Sequence, residues 1–206
     1  MNTRLPAPAA THTTIPKARM RKGRNRLGAL VFACALLLVV PAGASAKAFL
    51  ELPGVQGESQ VLGFEKQIEL ASFQFGVSNP VQMGDEKVKG KPTFSELTVT
   101  KRLDRASPAL MLRTATMAAF PTARVRVTKS SEAGESTVLR YCFTNVQVTS
   151  FSQSSGGDIP TESVALSYGT IVQSYTEQAG GGSKGGVFTS GWDVIGDLQF
   201  GGACDK

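Results

Sequence analysis

The chain has 206 residues, with 22 Lys/Arg against 16 Asp/Glu, a formal net charge of +6 and one histidine. That histidine is His12, so nothing after it can serve as the imidazole of a Ser-His-Asp or Cys-His set, or supply the commonest metal ligand. Seven of the Lys/Arg precede residue 27 and every Asp/Glu follows residue 46, so residues 47–206 carry about −1 and lack the clustered basic run that nucleic-acid binding needs.

Residues 1–46 read as an export leader. Arg4, Lys17, Arg19, Arg21, Lys22, Arg24 and Arg26 form a basic head without an acid. Residues 27–40 are 14 consecutive apolar or small residues, short of the roughly 20 that a spanning helix needs. Pro41 and the small-x-small triplet Ala44-Ser45-Ala46 follow. The pattern predicts cleavage between Ala46 and Lys47, a leader over 1–46 and one domain over 47–206. The mature protein is then secreted or periplasmic by the general secretory route, with no membrane attachment left. Met20 opens a complete leader of its own, so the start is Met1 or Met20. Cys34 lies inside the apolar run and leaves with it.

The domain that follows is long enough for a proper core. Ile68 and Leu70 share one parity, while Phe73, Phe75 and Val77 take the other, which predicts a bulge, a bend or a second core. Residues 81–92 are polar and glycine-punctuated, the composition of a long hairpin tip. Leu97 and Val99 alternate with Thr98 and Thr100 as a half-buried strand. Ser107 before Pro108 predicts an N-cap and first helical residue, and Leu110, Met111, Ala115 and Ala118 mark the apolar stripe of that helix. Phe120-Pro121 closes it, and Ala123, Val125 and Val127 re-enter a sheet. A second phase change separates Leu139, Tyr141 and Phe143 from Val146 and Val148. Cys142 is mid-strand and Cys204 near the C-terminus; in an oxidising compartment they are either a disulfide or two thiols. Residues 180–186, GGGSKGG, read as a linker, and Trp192 as a core or interface anchor. The fold class is mainly β with one flanking helix, and strands that bend and change partners suit a compact closed β-barrel or a pair of packed antiparallel sheets.

The strand-helix-strand unit at residues 97–127 resembles the haemolysin-coregulated (Hcp) family, tube-forming proteins of type VI secretion. Leu97, Thr100, Lys101, Asp104, Arg105, Ser107, Pro108, Leu110, Met111 and Leu112 carry that resemblance. Residues 52–59, LPGVQGES, look like the family's first strand and Gly-Glu-Ser turn, and residues 68–76 like its second strand. Residues 154–157 leading to Glu162-Ser163-Val164-Ala165-Leu166, and residues 188–192, look like its Ser/Gly loop and closing segments. The resemblance implies a β-barrel subunit that associates with itself into rings, hexameric in the family, which stack into a tube for secreted cargo protein. It also implies an inter-ring role for the loop holding Met83, Gly84, Asp85, Glu86, Lys87 and Lys89. The leader departs from the family, whose tube proteins leave the cytoplasm through the machine itself.

The residues offer no enzymatic chemistry. There is no phosphate loop, and no histidine after His12 to activate a serine or cysteine nucleophile. Asp85-Glu86 is the one adjacent acidic pair and lacks the alternating acids of a calcium loop. The expectation is a non-enzymatic structural protein with no cofactor and no metal. A secreted monomeric binding module with the same barrel is the second reading.

Overall fold

The computed structural model describes residues 46–80, 90–131, 134–178 and 184–202, which fall in the compact unit Ala42–Lys206. The elements are β1 (Ala46–Glu51), β2 (Ile68–Gln74), β3 (Val77–Ser78), β4 (Thr93–Phe94), β5 (Leu97–Arg102), α1 (Ser107–Thr116), β6 (Phe120–Ser131), β7 (Gly134–Ser154), β8 (Thr161–Ser167), β9 (Thr170–Gln178), β10 (Lys184–Asp193) and β11 (Leu198–Gln199). The main sheet runs β11-β10-β9-β7-β6-β1-β2-β5-β8, and β8 also pairs with β7. That second pairing closes β7-β6-β1-β2-β5-β8 into a six-stranded antiparallel barrel. Strands β9, β10 and β11 continue outward from β7 as a wing. This is the mainly-β barrel with a single helix that the alternation patterns and the resemblance imply.

Both phase changes in the sequence are real features of the barrel. In β2 the pairing with β5 slips between Leu70 and Ser72. The extra residue, Ala71, lets Leu70 and Phe73 both pack on the core despite their opposite parity. In β7 the change falls at Asn145, whose φ of 51° turns the chain. Before it, Leu139 to Thr144 pair with β9; after it, Gln147 to Ser154 pair with β8. One 21-residue strand thus serves the wing and then the barrel wall. Barrel walls curve, and a bulge or a left-handed residue supplies the corner.

The core is filled by inward residues of all six walls, among them Leu50, Ile68, Val99, Val125, Phe143 and Val164, each no more than 1% exposed. The first strand is Ala46–Glu51, ahead of the segment that resembles it. Leu52 and Val55 form an isolated bridge around Gly54, whose φ of 78° suits glycine. Beyond it, Phe64 stacks on Phe49 at 4.6 Å and covers the outside of β1.

The helix differs from its sequence reading in three ways. It begins at Ser107 with Ala106 in the cap position, and no side chain caps it. Pro108 does stand in the first turn, as its fixed φ requires. Leu110 is fully buried, whereas Met111 is 56% exposed and Ala115 is also exposed. The helix stops at Thr116, with Met117 in the left-handed conformation at φ 53°, so Ala118 lies outside it. A ten-residue helix lying on β7 can bury only a narrow stripe.

Candidate functional site

Two parts of the surface and one buried cluster are built for more than filling space. The cluster anchors the helix. On β5, Leu97, Val99 and Lys101 share the inward parity; on β8, Glu162, Val164 and Leu166 share it too. Antiparallel register places Lys101 directly opposite Glu162, and both side chains are 0% exposed. The Lys101 ammonium spends its three donors on Glu162 Oε2 (2.5 Å), Asp104 Oδ1 (2.8 Å) and Ser107 Oγ (3.0 Å). The Ser107 hydroxyl donates to Glu162 Oε2 at 2.7 Å and accepts the Asp104 N–H at 3.1 Å. Gln153 Nε2 completes the set on Glu162 Oε1 at 2.9 Å.

Every donor and acceptor there is matched, which is what lets two charges sit inside a barrel. Ser107 therefore acts inward, as the hub between helix and barrel, and not as the predicted cap. Asp104 Oδ1 accepts the Ala106 N–H at 2.9 Å and shapes the turn into the helix. Glu162 and Gln153 are what the sequence reading missed. Its signal was a lysine at the inward parity of one strand and a glutamate at the inward parity of another.

The first surface is the wing. Strand β10 pairs with β9 along its length, but on its outer side β11 covers only Trp192 and Asp193. Among the described residues, 185–190 of β10 carry no strand on that side. Val187 and Phe188 there are 64% and 63% exposed, and Tyr175 of β9 is exposed beside them. An open backbone edge with exposed apolar side chains is a pairing surface. Trp192 stands at the covered end, packed against the core and stacked on Phe94 at 6.4 Å.

The second surface is the ribbon β3–β4. Val77 pairs with Phe94 and Ser78 with Thr93. At its outer end a Cβ on Gly90 would lie 2.1 Å from the Pro80 carbonyl oxygen, so the two chain ends touch. Pro80 and Gly90, the described residues that flank 81–89, thus lie side by side beyond the ribbon. Met83, Gly84, Asp85, Glu86, Lys87 and Lys89 lie outside the described residues. Tyr168 ties the ribbon's base to the barrel by donating to the Ser95 carbonyl at 2.9 Å, and burial pushes its phenol up to about 12.

Ala46 and Lys47 begin β1, opposite Lys129 and Thr128 of β6. Lys47 reaches Glu135 at 3.4 Å, and the Thr128 and Ser130 hydroxyls both donate to Glu135 at 2.6 Å. The hydroxyl of Ser130 and then that of Thr128 hold the Glu135 carboxyl below its ordinary range. Cys142, on the outward parity of β7, is disulfide-bonded; Cys204 lies outside the described residues. Among the described residues, no three His, Cys, Asp or Glu side chains come together as metal ligands would.

The described residues form a closed six-stranded barrel with an internal ion cluster and an outer wing. Comparison with known proteins says which kind. Residues 49–175 match the family model "Type VI secretion system effector, Hcp". Protein hcp1 of Pseudomonas aeruginosa is 28% identical over 156 residues, covering 73% of this chain and 96% of that protein. A solved structure described as a type six secretion system protein superposes with a TM-score of 0.71 at 28% identity, over 76% of this chain and 100% of the other. Hcp1 from Salmonella typhimurium superposes with a TM-score of 0.64, also at 28% identity, over 76% of this chain and 99% of that one. The chain belongs to the Hcp family of type VI secretion proteins.

Proposed function

We propose that this chain is exported by its leader, cut between Ala46 and Lys47, and assembles with copies of itself into closed rings as a non-enzymatic structural subunit. The observation that carries the reading is the contrast between a barrel closed on itself and a wing left open at residues 185–190 of β10, with Val187 and Phe188 exposed. A head-to-tail contact between that edge and a different surface of the next copy closes into a ring when the rotation permits. Six copies per ring and stacking of rings around a secreted cargo protein are what the family resemblance implies. The loop at residues 83–89 would then reach the neighbouring ring from the β3–β4 ribbon, through exposed charge pairs worth about 0–1 kcal/mol each. Stacking would weaken with salt, while ring closure through backbone and apolar contacts would persist.

Cleavage at Ala46 has to precede folding, because Ala46 and Lys47 are paired strand residues in the folded domain. The test is sedimentation and electron microscopy of the exported protein, with its N-terminus sequenced. Rings with Lys47 at the N-terminus are expected. A strictly monomeric protein at high micromolar concentration would instead make it a secreted monomeric β-barrel binding module, and a retained leader would end the export reading.

A further inference from the structure

We infer that the aromatic pair Phe188–Tyr175 on the wing of one copy docks into an apolar groove beside the helix of the next, walled by Leu103, Pro108, Met111 and Phe151. This contact rests on the proposed self-association and names the two faces that meet in it.

The plug is a row across the sheet. Phe188 of β10 stands opposite Tyr175 of β9, and Tyr175 stands opposite Leu139 of β7. Ile171, a core residue, shares parity with Tyr175 and Glu177, so all three lie on the sheet face that runs into the barrel core. Beyond the barrel that face is open: Tyr175 is 45% exposed, and Phe188 more so. Glu177 sits at the margin, since a Cβ on Gly186 would lie 3.6 Å from the Phe188 ring and 3.9 Å from Glu177 Oε2. A carboxylate thus borders two exposed aromatic side chains.

The socket lies at the other end of β7. Leu103, just past β5, is 42% exposed; Pro108 and Met111 are exposed on the helix, and Phe151 comes from β7. Together they border a hollow of about 540 Å³. Ser107 and Gln153 border it too, and both bond Glu162 in the buried ion cluster. The cluster fixes the walls before any partner arrives, which lowers the cost of binding. At the rim stand Arg105 and Glu58, whose Oε1 accepts the Arg105 N–H at 3.2 Å.

The two faces match chemically. A methionine thioether suits an aromatic ring, and Tyr175 brings an apolar body with a hydroxyl that Glu58 can accept. Glu177 beside the plug meets Arg105 at the rim, and such opposite charges fix the register of a contact. Aromatic side chains bury about 150–250 Å² each and are the usual anchors at the centre of an interface. One copy does not fill its own groove. Phe151 lies twelve residues along β7 from Leu139, with the Asn145 turn between them. At about 3.3 Å per residue, up to roughly 40 Å of strand separates plug from socket. Two different surfaces then meet head to tail, the geometry that can close a ring.

The test uses the chain as it accumulates when the full sequence is expressed. Phe188→Glu spoils the plug and Met111→Glu the socket, each at an exposed position. Each variant alone should sediment as a monomer at concentrations where the parent chain associates. Mixed in equal amounts, the two should form a dimer and nothing larger, because one intact plug faces one intact socket. A Met111→Glu chain that still associates, or a mixture that stays monomeric, would overturn the docking while the ring reading stands. A parent chain that is itself monomeric would end both. Charge reversal supplies a second readout should either variant misfold. Arg105→Glu should weaken association about three- to tenfold, and adding Glu177→Arg should restore it. Failure of that restoration would equally overturn the contact.

Discussion

Strand β7 belongs to both the barrel and the wing, and its two halves meet different demands. From Gln147 onward it pairs with β8 and closes the barrel. Before Asn145 it pairs with β9 and begins a sheet that ends in an outer edge. Closure is the one arrangement that removes edges altogether, and the barrel spends its apolar residues inward. The wing keeps Val187 and Phe188 outside, and among the described residues no strand covers the outer side of 185–190. On the proposed function, the stability of this chain and its self-association reside in different strands, so each can be damaged separately.

The largest expected loss comes from the barrel's ion cluster. Lys101→Met removes the cation and leaves the Glu162 carboxylate buried and unpaired, which should cost about 3–5 kcal/mol in urea unfolding. Replacing both charges, as Lys101→Met with Glu162→Leu, should recover much of that loss, because the penalty lies in the orphaned charge. A single substitution as mild as a surface change would show that the cluster is solvated.

The second comparison sits on the helix, one residue apart. Leu110→Ala should cost about 2–5 kcal/mol, since its side chain is wholly inside. Met111→Ala should stay within about 0.5 kcal/mol, since its side chain is largely outside. Equal losses at the two positions would mean the helix is rotated on β7.

That pair also shows what the sequence could and could not disclose. Parity breaks at Leu70/Phe73 and around Asn145 are local facts, so the bulge in β2 and the corner in β7 were legible before any coordinates. Strand-helix-strand order was legible at residues 97–127 for the same reason. The register of the helix stripe was not, because Leu110, Met111 and Leu112 are equally apolar and only the curvature of β7 selects among them. Ser107 was misread because Ser-Pro is a strong local signal for a cap. The group that claims its hydroxyl, Glu162, lies 55 residues further on. Distant partners leave only the parity of a charged residue as their trace. For the wing, the resemblance marked a closing segment at residues 188–192 and said nothing of which strand would be outermost.

The wing should respond in the opposite sense to the barrel. Val187→Lys with Phe188→Lys alters exposed positions, so folding stability should move by no more than about 0.5 kcal/mol. Charges on an open edge block strand addition, so self-association measured by sedimentation should be lost at concentrations where the parent chain associates. Retained association would place the subunit contact elsewhere and leave the edge without a role.

A pH-dependent effect is expected at the seam between the ribbon and the barrel. Tyr168 donates its hydroxyl to the Ser95 carbonyl, and burial raises its phenol from 10.0 to about 12 in the folded chain. The unfolded chain ionises this group near 10, so above that pH the unfolded state binds fewer protons than the folded one. Stability from Tyr168 is therefore complete below pH 10 and falls as pH rises through about 12. Burial also raises the Tyr141 phenol, so some alkaline slope must survive any change at Tyr168. Tyr168→Phe removes one hydrogen bond, worth about 0.5–1.5 kcal/mol near neutral pH, and with it this part of the slope. Urea midpoints at pH 9 and pH 11.5 should then fall less steeply for Tyr168→Phe than for the parent chain. Identical slopes would mean that the phenol is as hydrated folded as unfolded, and that the base of the ribbon opens to water far more readily than the barrel beside it.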